Sequence, residues 1–210
     1  MADEDRRAEM KSGALGLLMG AIVASAIAVT WHGRKTRNSA GGQEGPSTAE
    51  VGSVLDTYRG VPVYENGSSV TTSHGKHYAT DGYYYGQKWQ CVEYIKRFYH
   101  DAKNHDMPSV WGHARDFFDP SVGHGAVNPQ RGLRQFENGG SDPPQVDDLL
   151  VFRAGSLGHV AVVSEVTETH VEVMQQNIHG HPRARHVLVL SKGRYLVGDT
   201  NGPAGWLRLP

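Results

Sequence analysis

The stretch Gly86-Gln87-Lys88-Trp89-Gln90-Cys91-Val92-Glu93-Tyr94-Ile95-Lys96-Arg97-Phe98 marks the point where the chain changes its periodicity. From Cys91 onward, apolar residues fall at Val92, Tyr94, Ile95, Phe98 and Tyr99, the three- and four-residue spacing of a helix with one buried stripe. Before it, segments such as 61–64 and 83–86 carry glycine and aromatic residues and read as short strands and turns. A second helix is predicted from Ser109, an N-cap type behind Pro108, through Trp111, Ala114, Phe117 and Phe118, where Asp119-Pro120 stops it. Beyond Pro143-Pro144 the pattern turns to strands, at 149–152, 159–166, 170–176, 186–190 and 194–197. Helices first and antiparallel strands afterwards predict an α+β domain, with N-terminal helices packed on an antiparallel sheet.

Further out, residues 12–31 hold no charge and run apolar through Val29. About 20 such residues suffice to cross the roughly 30 Å hydrocarbon core of a bilayer. The expectation is one transmembrane helix ahead of the folded domain, giving a single-pass membrane protein. A cleavable signal peptide competes, since Arg6, Arg7 and Lys11 make a basic start and Ala24-Ser25-Ala26 resembles a cleavage site; the product would then be secreted or periplasmic. The apolar run outlasts a signal core, which favours the anchor. Orientation is undecided, because Arg34, Lys35 and Arg37 on the far side balance the basic start. Residues 1–11 read as a short polar N-terminus, 32–52 as a flexible linker with almost nothing apolar to bury, and 53–210 as the folded domain. Across 210 residues, 21 Lys plus Arg stand against 22 Asp plus Glu, a balance that speaks against a nucleic-acid partner. One cysteine excludes an internal disulfide and Cys₄ or Cys₂His₂ zinc sites.

That cysteine is the first candidate for chemistry. Cys91 sits where a helix begins, and the partial positive charge and free N–H groups there favour a thiolate and could receive an oxyanion. Gln90 is a candidate extra oxyanion donor. A nucleophilic thiol needs a base, and His159 opens an apolar strand behind Gly158, with Val160 and Val162 facing the opposite way. If Val166 pairs opposite His170, His159 falls opposite Asn177 and Ala161 opposite Gln175, so both amides share the face of the imidazole while Gln176 points away. A neutral amide oxygen can fix the Nδ1–H tautomer, as in the Cys-His-Asn arrangement of papain-like proteases. The pairs His74/His77 and His179/His181 lack a carboxylate or thiol at useful spacing and read as solvated loops, so no metal and no cofactor are expected. Asp147/Asp148 would need unidentified partners to hold Ca²⁺. Trp89 and Tyr83 to Tyr85 suit either the cleft wall or the core.

The segment around Cys91, with Leu149-Leu150-Val151-Phe152, Gly158-His159-Val160-Ala161-Val162 and Gln175-Gln176-Asn177, resembles a CHAP domain (cysteine, histidine-dependent amidohydrolase/peptidase). More narrowly, it is similar to the amidase domain of glutathionylspermidine synthetase/amidase, most of all in Lys88-Trp89-Gln90-Cys91-Val92-Glu93. Gly60-Val61-Pro62-Val63-Tyr64 and Gly205-Trp206 resemble that domain's edges. The resemblance implies a papain-like/CHAP fold, with Cys91 as nucleophile, His159 as base, and Gln175 in the position where the family usually has the acid of a Glu-x-Asn pattern. Asn177 matches the second member of that pattern. Asp147-Asp148 departs from the Gly-Asp of many relatives. The implied activity is hydrolysis of an amide bond in a small amide or peptide through an acyl-enzyme, without a cofactor. A peptidoglycan-cleaving endopeptidase or amidase and a weakly active membrane-tethered binding module are the alternatives.

Overall fold

In the computed structural model residues 49–210 are described. The chain enters through two small antiparallel hairpins, β1 (Val54–Tyr58) with β2 (Val61–Tyr64) and β3 (Lys76–Tyr78) with β4 (Tyr84–Gln87). The helix α1 (Cys91–Lys103) follows, 13 residues long, and ends at Asn104, whose left-handed conformation lets its N–H cap the carbonyls of Tyr99 and His100. The rest is one antiparallel sheet built from β5 (Val127–Asn128), β6 (Leu133–Glu137), β7 (Leu149–Phe152), β8 (His159–Val166), β9 (His170–Met174), β10 (Arg183–Ser191), β11 (Arg194–Val197) and β12 (Gly205–Arg208). Its spatial order is β11-β10-β9-β8-β7-β12-β6-β5, so the C-terminal strand inserts between β6 and β7. Gly205 permits that insertion: a Cβ there would lie 2.0 Å from the Phe136 carbonyl oxygen of the neighbouring strand.

Both faces of the sheet are buried at its centre, which explains why β7 is apolar throughout rather than alternating. On one face Tyr94, Ile95, Phe98 and Tyr99 of α1 pack against Leu149, Val151, Val160 and Val162. On the other, Leu150, Ala161, Val163 and Val173 meet Phe136, Trp206, Leu188 and Val197. Residues from both ends of the strand order share this second core because the sheet curls on itself. The turn after β6 hydrogen-bonds β11, with Gly139 N–H donating to Tyr195 O at 2.7 Å and Tyr195 N–H to Gly140 O at 2.8 Å.

Two features of the predicted architecture are corrected. The α+β arrangement of several N-terminal helices on a sheet gives way to a mostly β structure with one α-helix among the described residues. The second helix, expected from Ser109 to Phe118, is reduced to a 3₁₀ turn at Ala114–Phe117. Gly112 breaks it with a φ of +111°. The buried Arg131 guanidinium binds the carbonyls of Ser109 and Trp111 at 3.0 and 3.2 Å, oxygens that a helix would need for its own bonds. The transmembrane helix expected at 12–31 lies outside the described residues, and no helix among the described residues is long and apolar enough to cross a membrane.

Candidate active site

Cys91 is the first residue of α1, with Gln90 as N-cap in extended conformation. Its side chain is 7% exposed. The backbone N–H groups of Val160, Val92 and Cys91 itself favour the thiolate form. Val160 follows His159 at the start of β8, so the helix terminus and the strand terminus meet at the sulfur. Cys91 and His159 line one cleft of about 780 Å³, within the range of ligand sites.

His159 reaches this place because Gly158 has a φ of +72° and passes so close to the end of β7 that a Cβ would lie 2.5 Å from Phe152 O. The imidazole Nε2 stands 3.0 Å from Gln175 Oε1. Gln175 Nε2 donates to the carbonyl of His181 at 3.1 Å, which identifies Oε1 as the acceptor facing the ring. His159 Nε2 therefore carries the proton and Nδ1 is the free base. The sequence reading expected Nδ1–H; of its two candidate amides, Gln175 is the one in contact with the ring, and through Nε2.

The register explains why. The hairpin pairs Val166 with Val171, one residue off the expected register, and Glu165 with Glu172. A bulge at Ser164 then shifts the ladder, so that Val162 pairs with Met174. Carried one step on, that pairing puts Ala161 opposite Gln175, on the face of His159.

Asn177 serves elsewhere. Its Nδ2 donates to Val70 O and to Gln90 Oε1, both at 2.8 Å, and its Oδ1 accepts Asn66 Nδ2 at 2.6 Å. A φ of +68° turns it out of the strand path, into a conformation asparagine tolerates better than most residues. Asn177 thus ties the 66–72 segment to the N-cap of α1. Gln90 is held in the same way, with its Nε2 donating to Thr72 O at 2.6 Å.

Burial dominates the electrostatics. It pushes the Cys91 thiol up to about 11, against the N–H groups that favour the thiolate. It pulls the His159 imidazole down to about 4; the Gln175 bond opposes this and nearby His186 adds to it. The helix terminus alone led to the opposite expectation for Cys91. Both shifts favour the uncharged forms, the thiol of Cys91 and the neutral imidazole of His159.

Behind the site lies a network that sequence reading did not find. Gln176, turned away from the imidazole as expected, donates to Gln90 O at 3.0 Å and to Glu93 Oε2 at 2.6 Å. Glu93, fully buried, also binds Arg97 Nε at 2.6 Å and His77 Nδ1 at 2.8 Å. Glu93 and Arg97 at i and i+4 were a legible helix pair; their link to Gln176 depends on tertiary packing. His77 and His179 are not solvated loop residues, since His179 Nδ1 bonds the buried Glu65 at 2.9 Å. Asp147 pairs with Arg59 and Lys103, each at 2.6 Å, and Asp148 with Arg208 at 2.7 Å. Of the aromatic candidates Tyr84 lines the cleft, whereas Trp89 packs on Tyr64 with ring centroids 4.0 Å apart.

The CHAP domain family matches residues 82–177, a window that contains Cys91, His159 and Gln175. The chain is similar to the bifunctional glutathionylspermidine synthetase/amidase of Escherichia coli (strain K12), 28% identical over 134 residues that cover 57% of this chain and 21% of that protein. It is 27% identical to the trypanothione synthetase of Crithidia fasciculata over 164 residues, 71% of this chain and 25% of the relative. It is 34% identical to the glutathionylspermidine synthase of Crithidia fasciculata over 101 residues, 44% of this chain and 14% of the relative. The chain thus spans a quarter or less of these relatives. With the helix-borne cysteine and the strand-borne histidine inside the matched window, residues 82–177 are a CHAP domain.

Proposed function

We propose that the protein is a thiol-dependent amidohydrolase in which Cys91 attacks the carbonyl of an amide bond, with His159 as base and Gln175 as the group that orients it. The observation that carries this reading is the chain His181 O···Gln175···His159. It leaves the unprotonated Nδ1 of a half-buried imidazole in the same cleft as the sulfur at the start of α1. CHAP membership, and an amidase among the relatives, support a C–N amide as the bond broken.

The reaction proceeds in two balanced halves. The thiol proton passes to His159 Nδ1 as sulfur bonds the carbonyl carbon, and negative charge moves onto the carbonyl oxygen. The N–H groups at the helix terminus face that charge. Collapse of the tetrahedral species breaks the C–N bond, and the imidazolium gives its proton to the departing amine. Water, deprotonated by the same nitrogen, then hydrolyses the thioester and returns the thiol. Gln175 favours the imidazolium formed in each half by accepting from Nε2–H, as a neutral partner and so more weakly than a carboxylate would.

The test is Cys91→Ala together with intact mass spectrometry of the wild type during turnover. The expected result is no hydrolysis by the variant and a transient acyl adduct on Cys91. Turnover by Cys91→Ala of any amide the wild type cleaves would refute the thiol mechanism.

A further inference from the structure

The walls of the cleft carry an inference about its substrate that deepens the reading above and rests on it. Among the described residues lining the cleft there is no Asp, Glu, Lys or Arg. The nearest acid on α1, Glu93, is fully buried and bonded to Arg97, His77 and Gln176. Arg115, beside the cleft in the 3₁₀ turn, directs its guanidinium to the carbonyl of Gly155 at 2.8 Å. The lining combines polar side chains, among them Thr71, Gln87, His113 and Ser156, with exposed apolar ones. Trp111 is 75% exposed, with its ring centroid 6.2 Å from that of Tyr84, and Val70, Leu157 and Ile178 are exposed around it.

An indole so exposed at a cleft offers a large apolar platform at little conformational cost. A polyamine chain or an anionic peptide seated among these residues would lose hydration with no opposite charge in the lining itself, which is unfavourable; the exposed Asp116, which accepts the His113 N–H at 2.8 Å, lies outside that lining. We infer that the site takes uncharged amides with a bulky apolar group next to the scissile bond, seated on Trp111, in preference to amides of polyamines or of acidic peptides.

The experiment compares three peptidyl chloromethyl ketones that differ only in the residue bearing the ketone: phenylalanyl, lysyl or glutamyl. Each reacts by the Cys91 sulfur displacing chloride to give a thioether, read by mass spectrometry of the peptide that contains Cys91. The expected result is that the phenylalanyl reagent labels Cys91 at least about tenfold faster than either charged one, and that Trp111→Ala brings the ratio toward one. Equal or faster labelling by the lysyl or glutamyl reagent overturns this inference and leaves the thiol reading standing. An unchanged ratio in Trp111→Ala removes the indole from it. If folded protein is labelled at Cys91 by none of the three, the thiol reading falls, and the inference with it.

Discussion

Gln175→Glu is the substitution that most directly probes how the base is held. In the native protein burial depresses the His159 imidazole to about 4. In the proposed mechanism the free enzyme needs a neutral imidazole to accept the thiol proton, so activity is expected to fall as pH drops through that value, with the acidic midpoint of kcat/KM expected near pH 4. A glutamate at 175 would put a carboxylate oxygen where the amide Oε1 now stands, 3.0 Å from Nε2. Two opposite charges about 4 Å apart attract by about 4 kcal/mol at an effective dielectric constant near 20. After the cost of desolvating the carboxylate, a rise of about one to three pH units is expected. The acidic midpoint therefore moves up to between about pH 5 and pH 7, because the charged form of the base is the one favoured. At pH 8 the base is neutral in both proteins, and kcat is preserved or raised, about tenfold for each 1.4 kcal/mol by which the carboxylate stabilises the forming imidazolium. The second carboxylate oxygen would face the His181 carbonyl, which now accepts from Gln175 Nε2 at 3.1 Å. That lost bond lowers stability by roughly 1–3 kcal/mol. The assay is kcat/KM against pH from 3.5 to 9 for the native protein and for Gln175→Glu and Gln175→Ala, with thermal melts at each pH. A native midpoint near 6.5 would refute the burial argument. A glutamate variant whose midpoint does not rise would refute contact between residue 175 and the imidazole.

Two further substitutions separate roles that the sequence left joined. Asn177→Ala removes partners from Asn66, Gln90 and Val70 but none from His159; it should lower stability by roughly 1–3 kcal/mol and leave the acidic midpoint in place. A fall in kcat/KM larger than that of Gln175→Ala would return Asn177 to the role of orienter. Gly158→Ala introduces a Cβ 2.5 Å from Phe152 O and 2.6 Å from Arg115 N at a φ of +72°. Both obstacles are backbone, so a stability loss above about 2 kcal/mol and reduced kcat are expected; a melting curve identical to that of the native protein would contradict the packing described here.

What could be read from the sequence tracks how local its physical cause is. The helix at Cys91 is legible because its stripe of Tyr94, Ile95, Phe98 and Tyr99 lies within a few turns, and the strands at Leu149–Phe152 and His159–Val166 because their apolar residues are contiguous. The 109–118 segment carried the same kind of pattern and failed as a helix, because Arg131, distant in sequence, takes its carbonyls. β12 was missed for a similar reason: four residues at the chain end become a strand only by entering between β6 and β7. At the site, hairpin arithmetic put Gln175 and Asn177 together on the face of His159 without choosing between them; the turn register it assumed was one residue off, and a bulge at Ser164 restores it by Val163. The tautomer was not reachable, since it depends on a backbone carbonyl, that of His181, beyond the strand.

The same non-local packing reverses the acid–base balance inferred from the helix terminus. Free N–H groups at the start of α1 favour a thiolate in isolation, but the sulfur is enclosed, and enclosure outweighs them. A preformed thiolate–imidazolium pair would add two charges to a cleft whose described lining has none of the four charged residue types. A carboxylate at position 175 would offset the imidazolium; the neutral amide found there does so only partly. In the proposed mechanism proton transfer would therefore be tied to bond formation. As sulfur closed on the carbonyl carbon, the negative charge would pass to an oxygen near the helix N–H groups, and only then would the positive charge on His159 be balanced. A substrate that brings no charge of its own would leave that exchange undisturbed, so the neutrality of Gln175 and of the cleft lining would act together on the same proposed step.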